Sequence, residues 1–187
     1  MNIDTPVLIV IAVAVVVVIA IVAWALTRRR RSARLKKQFG SEYDRVVREA
    51  GTTQQAEAAL ESRERRVARY HIHPLSSEES GRFAERWRRV QARFVDDPSG
   101  AVTDADGLIG EVMQAKGYPM TDFEDRAADL SVEHADVVDH YRVAHAIARR
   151  QARGEASTED LRQGMQHYRA LFEELIEAAE PRSTRRA

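Results

Sequence analysis

The sequence contains no cysteine, only five prolines and nine glycines, and few aromatic residues, at 6% of its 187 positions. Without cysteine the chain has no disulfide, no thiolate metal site and no cysteine nucleophile. The patterns GxxxxGK[ST], GxGxxG, HExxH and GxSxG are also absent, so the usual phosphate-binding, zinc-protease and serine-hydrolase signatures are missing. We therefore predict that the protein is not an enzyme and holds no metal or cofactor.

Charge is absent from one long stretch, residues 7–26, which reads VLIVIAVAVVVVIAIVAWAL. As a helix this stretch would be about 30 Å long, which matches the hydrocarbon core of a bilayer. It contains no GxxxG motif, so it carries no specific signal for helix dimerisation. We predict a transmembrane helix at residues 7–26, preceded by a short extracytoplasmic segment at residues 1–6.

The charges that flank this stretch predict its orientation. The preceding residues contain no lysine or arginine, whereas seven basic residues follow: Arg28, Arg29, Arg30, Arg31, Arg34, Lys36 and Lys37. This asymmetry favours an inner (plasma) membrane protein with its N-terminus outside and its C-terminal domain in the cytoplasm. The same seven residues would contact anionic lipids of the inner leaflet.

A cleaved signal peptide followed by a secreted helical domain is the alternative. It rests on Ala23-Trp24-Ala25, which resembles a small-x-small cleavage site. The apolar stretch is longer than the 7–15 residues typical of a signal peptide, and the positive charges lie on the wrong side of it. The anchor is therefore the favoured interpretation.

Charge also changes along the rest of the chain. Residues 38–93 contain eleven basic and nine acidic side chains, whereas residues 94–181 contain eight basic and nineteen acidic ones. The net charge of the whole chain is zero. The domain is thus predicted to be basic next to the membrane and acidic far from it.

Capping patterns divide the rest of the chain, after the apolar stretch, into helices. No segment there shows the alternation of apolar and polar residues that is typical of a β-strand. Helices are predicted to begin at Ser41, Thr52, Ser76, Asp97, Thr121, Ser131 and Ser157. Glycine or proline ends most of them, as in Gly117-Tyr118-Pro119. The predicted organisation is a basic juxtamembrane segment at residues 27–40, a helical stalk at 41–73, an all-α bundle at 74–180 and a disordered tail at 181–187.

The clearest core stripe lies on the helix after Ser76. Phe83, Trp87, Val90 and Phe94 are spaced by 4, 3 and 4 residues, so they share one face. The short loops between helices favour antiparallel neighbours. The predicted fold class is therefore all-α: an N-terminal transmembrane helix, a stalk and an antiparallel helical bundle.

Arginines accompany this stripe. Arg82, Arg86, Arg89 and Arg93 each precede one of its members, and they form a ridge about 100° round the same helix. One interpretation is a solvated flank whose charges pair with Glu79, Glu85 or acids of the last helix. A second is a docking face for anionic lipid or an acidic partner. Nucleic acid is disfavoured because the acidic half of the domain would repel phosphate.

Two pairs of residues that contain histidine are candidate metal ligands. Asp136 and His140 are four residues apart, and His71 and His73 are two apart, but neither pair has a third ligand in its motif. An enzyme or ligand-binding bundle remains the alternative to an interaction module. Its site would be a polar pocket among Tyr141, His145, His167 and Tyr168, which otherwise are core aromatics and surface or capping histidines.

Several segments of the C-terminal half are similar in sequence to one family of proteins. RFVDDP at residues 93–98, GYPMTDFEDRAADLSVEH at 117–134, YRVAH at 141–145 and GEASTEDLRQGMQHYRALFEELI at 154–176 are the most characteristic. With them, residues 35–176 resemble a family of uncharacterised bacterial membrane-anchored proteins, seen mainly in actinobacteria. The resemblance implies a bacterial inner-membrane protein and supplies no activity and no catalytic residues.

The functional prediction is a membrane-tethered cytoplasmic interaction or scaffold module. Its partners would be the lipid bilayer and a protein, and not nucleic acid. The predicted contact surface consists of the seven juxtamembrane basic residues together with Arg82, Arg86, Arg89 and Arg93.

Overall fold

The computed structural model describes the backbone of residues 5–177 and the side chains of residues 14–177. The described residues form seven α-helices and no strand, which confirms the all-α class. The helices are α1 (Thr5–Ala50), α2 (Thr53–Val67), α3 (Ser77–Arg93), α4 (Pro98–Ala115), α5 (Phe123–Glu133), α6 (Val138–Ala152) and α7 (Thr158–Glu177). By internal contacts the chain forms two units, residues 1–38 and 39–187.

The first unit is helical from residue 5 to residue 38. Nine of its large apolar side chains are each at least half exposed: Val15, Val16, Val17, Val18, Ile19, Ile21, Val22, Trp24 and Leu26. In the described part of the chain, no helix has a stretch that is long and apolar enough to cross a membrane. Side chains 7–13 of the predicted span lie outside the described residues, as do residues 178–187, which include the predicted tail.

Four of the predicted N-caps are confirmed by hydrogen bonds from the backbone of the first turn. Ser76 and Glu79 form a reciprocal capping box, with Glu79 N–H donating to Ser76 Oγ at 3.2 Å and Ser76 N–H donating to the Glu79 carboxylate at 2.9 Å. Such bonds satisfy donors that have no partner inside the helix. The other three caps are Thr52, Asp97 and Ser157.

Two predicted caps are wrong. Helix α5 is capped by Asp122, whose carboxylate accepts from Asp125 N–H at 3.0 Å, and not by Thr121. Ser131 lies buried inside α5, where its hydroxyl donates to the Ala128 carbonyl at 2.6 Å. A serine hydroxyl can donate to a carbonyl of the preceding helical turn, or it can accept from the first turn of a new helix. The position of Ser131 in the sequence does not show which of these two bonds forms.

The segment predicted as a stalk, residues 41–73, packs within the second unit. Gly40 leaves helical geometry, with φ 50° and ψ −125°, immediately before the helix start predicted at Ser41. Helix α2 contacts α5, where Arg66 Nε donates to the buried Asp129 carboxylate at 2.7 Å. The Tyr70 hydroxyl donates to the same carboxylate at 3.1 Å.

The core lies among α3, α4, α5, α6 and α7. Trp87 stacks on Phe172 with ring centroids 4.7 Å apart, so the predicted stripe on α3 packs against α7. The other members, Phe83 and Phe94, are partly buried at the edge of this core. Lys116 is buried and its ammonium donates to the Leu175 carbonyl at 3.2 Å, which satisfies one acceptor of the last turn of α7.

Two glycines, Gly107 within α4 and Gly117 just after its end, provide a matched test of how the loop before α3 packs. Gly117 has φ 94°, and a Cβ there would lie 2.3 Å from the His71 carbonyl oxygen. Gly107 is exposed in the helix and a Cβ there would meet nothing within 4 Å. The loop before α3 is thus held against the end of α4, where His73 N–H also donates to the Lys116 carbonyl at 2.9 Å.

We expect Gly117→Ala to lower the free energy of unfolding by about 2–4 kcal/mol, because it adds both left-handed strain and a clash. Gly107→Ala should raise it by about 0.5–1 kcal/mol through helix propensity. Urea unfolding of the detergent-solubilised full chain, followed by Trp87 fluorescence in a Trp24→Phe background, measures both. Equal effects of the two substitutions would contradict the described packing of this loop.

Candidate functional site

The ridge of four arginines lies on α3 with side chains between 40% and 67% exposed. Arg86 makes two hydrogen bonds to the carboxylate of Glu111 on α4, one of them 2.7 Å long. Arg93 bonds Asp97 and Asp104, each at 2.6 Å. The ridge therefore connects α3 to α4 by ion pairs.

The other two ridge arginines, Arg82 and Arg89, pair within their own helix. Arg89 donates to Glu85 at 3.0 Å, as predicted, and Arg82 lies 3.9 Å from Glu78. The predicted pairs with Glu79 and with acids of the last helix are not among the described ion pairs. Glu79 is engaged in the capping box instead.

An open groove of about 450 Å³ lies between α3 and α4. Val90 and Leu108 lie at its floor but are buried, at 9% and 2% exposed, and Gly107 leaves space above the α4 backbone. Charges of both signs line its edges: Arg86, Arg89, Arg93, Asp104 and Glu111. The arrangement can receive a polar segment that carries charges of both signs.

The electrostatics of this face are nearly balanced. The four ridge arginines are matched by five carboxylates, those of Glu78, Glu85, Asp97, Asp104 and Glu111. The hydrogen bonds from Arg86 lower the pKa of Glu111 below its ordinary value. A surface with this balance attracts an anionic bilayer much less than four unpaired arginines would.

The seven basic residues after the apolar stretch lie on α1 and are all exposed. The Arg28 guanidinium lies 5.4 Å from the centre of the Trp24 ring, in cation–π range. Arg34 donates to the Gln38 side chain at 3.4 Å. The sequence places no acidic residue between Arg28 and Lys37, so this segment carries a net positive charge.

A buried carboxylate, which the sequence analysis missed, lies in the second unit. Glu42 is fully buried and accepts hydrogen bonds from three arginines: Arg45 at 2.6 and 2.7 Å, Arg63 at 2.6 Å and Arg142 at 3.3 Å. Burial acts to raise the pKa of Glu42, but these bonds and charges outweigh it and lower the pKa.

The cluster joins the end of α1 to α2 and α6. A cavity of about 400 Å³ opens beside it, lined by four arginines and by Glu49, Glu124 and Asp125. Each of these arginines already bonds a carboxylate, so the cavity has no excess of positive charge for an anion. A signal for Glu42 was available, because it lies one turn before the buried Val46 on the same helical face.

The four residues of the alternative site do not meet in one pocket: Tyr141, His145, His167 and Tyr168 have different partners. Asp106 on α4 accepts from the Tyr168 hydroxyl at 2.7 Å and lies 3.4 Å from His145 Nδ1. Burial acts to raise the pKa of Asp106, but the bonds from His145 and Tyr168 lower it overall. His167 turns instead to His140, with their Nδ1 atoms 2.7 Å apart.

Aromatic stacking fixes the orientation of His145. Its ring lies parallel to Phe123, with centroids 3.8 Å apart, and the edge of Phe123 meets Tyr141 at 4.9 Å. Tyr141 and Tyr168 are buried core aromatics. Among the described residues, no group of three or more His, Asp or Glu side chains is placed to hold a metal ion.

Comparisons with protein-family models, with curated proteins and with solved structures find no match to this chain. The resemblance to bacterial membrane-anchored proteins therefore stays a prediction.

We expect Glu42→Ala to lower the free energy of unfolding by about 3–5 kcal/mol, because it leaves three guanidinium groups around an empty carboxylate position. The matched control is Glu49→Ala, which removes an exposed carboxylate paired with the same Arg45. It should cost about 1 kcal/mol or less. Urea unfolding of the full chain measures both, and a control effect as large as that of Glu42→Ala would show that burial of the cluster is not its source of stability.

Proposed function

We propose that this chain is a membrane-tethered interaction or scaffold module. Residues 7–26 form a single-pass anchor with the N-terminus outside, and the helical domain lies in the cytoplasm. A partner protein binds in the groove between α3 and α4. The proposal assigns no reaction, no cofactor and no nucleic acid.

The exposed apolar stretch of the first unit supports the tether. Val15, Val16, Val17 and Val18 are consecutive, so their side chains cover every side of the helix, and each is at least half exposed. A helix that is apolar all round needs an apolar surrounding to cover it. The basic residues that follow support the cytoplasmic orientation and the contact with anionic lipid.

The open groove is the observation that carries the interaction role. Exposed ion pairs contribute at most about 1 kcal/mol each, so a partner can replace Glu111 or Asp104 at low cost. An incoming segment would pair with the charges of both signs that line the edges of the groove. Gly107 allows the partner's backbone to approach α4 closely.

The balance between the ridge arginines and the neighbouring carboxylates decides which ligand we propose for the ridge. From the sequence, both anionic lipid and an acidic partner are candidate ligands of Arg82, Arg86, Arg89 and Arg93. Because each of them lies within 4 Å of a carboxylate, a protein surface that carries both signs fits better than a bilayer. Lipid contact is assigned to Arg28–Arg31, Arg34, Lys36 and Lys37 alone.

A topology reporter at Ala187 tests the tether. A green fluorescent protein fused there should fluoresce, and an alkaline phosphatase fused there should be inactive, because it requires export. Replacing the seven basic residues after the span with glutamine should raise phosphatase activity, since the orientation signal is then lost. Strong phosphatase activity of the unmodified fusion would instead favour the secreted alternative.

Site-specific photocrosslinking in native membranes tests the groove. A photoreactive amino acid at Gly107 should give a discrete protein adduct, and the same group at the exposed Gln166 of α7 should not. Arg86→Glu with Arg93→Glu should abolish the adduct, since both edges of the groove then become acidic.

The matched control is Arg162→Glu with Arg169→Glu, which reverses two exposed, ion-paired arginines on α7. It should leave the Gly107 adduct intact. An adduct that survives reversal of Arg86 and Arg93, or that appears equally at Gln166, would contradict the assignment of the groove.

A further inference from the structure

The two sides of the α3–α4 groove carry charges of opposite sign. The charged side chains that α3 contributes to the lining of the groove are all arginines: Arg86, Arg89 and Arg93. Those that α4 contributes are both carboxylates, Asp104 and Glu111. The groove therefore has one basic side and one acidic side, which lie next to each other along its length.

These charges are arranged at two levels along the groove. Arg86 bonds Glu111 at one level, and Arg93 bonds Asp104 at the other. The two levels are seven residues apart on both helices, which corresponds to about 10.5 Å of helix. Because the order of the partners along the chain is reversed, α3 and α4 run antiparallel, and each ion pair crosses the groove directly.

A surface with this arrangement is complementary to itself. A two-fold axis that runs along the groove, parallel to the helices, places α3 of each copy opposite α4 of the other and keeps each level at the same height. Arg86 then faces Glu111 of the second copy, and Arg93 faces Asp104 of the second copy. A two-fold axis that runs across the helices would instead place arginines opposite arginines, and like charges so placed repel.

We propose that the partner in the groove is a second copy of this chain, a proposal that rests on the function proposed above and adds the identity of the partner. Each copy binds through the same α3–α4 face. At each level, two arginines and two carboxylates form one cluster in which every arginine has a carboxylate of its own chain and one of the other chain within reach. A network of charges contributes more than isolated exposed pairs do.

The polar character of this interface connects it to the membrane anchor. Val90 and Leu108 are buried within their own bundle, so a second copy gains no large apolar contact at the floor of the groove. Exposed ion pairs alone give weak association, and salt screens them. Two copies anchored in one bilayer have a high effective concentration, which favours a weak contact. The dimer therefore forms in the membrane and dissociates when detergent separates the copies.

Photocrosslinking between two differently tagged copies tests the identity of the partner. One copy carries the first epitope and a photoreactive amino acid at Gly107, and the other carries the second epitope and no probe. Irradiation of native membranes should give an adduct that has the mass of two chains and carries both epitopes. The same probe at the exposed Gln166 of α7 is the matched control and should give no such adduct.

Charge reversal supplies a second measurement that an unrelated partner would not reproduce. An acidic copy carries Arg86→Glu with Arg93→Glu, and a basic copy carries Asp104→Arg with Glu111→Arg. Each reversed copy should lose the two-epitope adduct with its own kind, because α3 and α4 then have the same sign. The acidic and basic copies together should regain the adduct, because each α3 again faces an α4 of opposite charge.

The matched control for the basic copy reverses two exposed, ion-paired carboxylates of α7, Glu159→Arg with Glu173→Arg. With the acidic copy it should give less adduct than the basic copy does, because only one of the two contacts between α3 and α4 is then complementary. Equal adduct with this control, or no adduct between the acidic and basic copies, would overturn the proposal.

The adduct of the unreversed copies needs no charge substitution, so it decides the proposal even where a reversed copy does not fold. An adduct of the Gly107 probe with a different protein, and none with the second epitope, would overturn the second copy as the partner and leave the binding role of the groove intact. No intermolecular adduct at Gly107 would overturn both.

Discussion

The buried carboxylate of Glu42 is the constraint on which the arrangement of the second unit depends. A carboxylate that loses its water must be surrounded by donors, and here three arginines supply them from α1, α2 and α6. Those arginines also bond Ser131 and Glu124, both on α5. One buried charge thus fixes which helices lie together and holds residues 41–73 against the bundle.

The ion pairs on α3 and α4 have the opposite character. They are exposed, each contributes little to stability, and they can be exchanged for pairs with another molecule. The structure therefore contains two kinds of arginine: partly buried ones around Glu42, which hold helices together, and exposed ones along the α3–α4 groove.

Local features of the fold could be predicted from the sequence. Capping boxes such as Ser76 with Glu79 involve residues three apart, so the pattern contains the whole interaction. The stripe of Trp87 and Val90 was found for the same reason. Ser131 was misassigned because its hydroxyl can bond in either direction, and the neighbouring chain decides between them.

The partners of charged and polar side chains could not be predicted in this way. Glu42 and Arg142 are one hundred residues apart, and His140 and His167 are twenty-seven apart. Nothing in the spacing of either pair indicates contact, because it arises only when the helices pack. The ridge arginines were found by their periodicity, but their neutralisation by Asp104 and Glu111 depends on the position of α4.

The central claim is that the α3–α4 face of a membrane-tethered domain binds a protein partner. Hydrogen exchange of the full-length protein tests it most directly, by comparing native membrane vesicles with the purified protein in detergent. The account predicts slower exchange in native membranes for amides of α3 and α4, residues 82–111, and unchanged exchange in α7. Equal exchange of residues 82–111 in both preparations, or protection confined to α7, would contradict it.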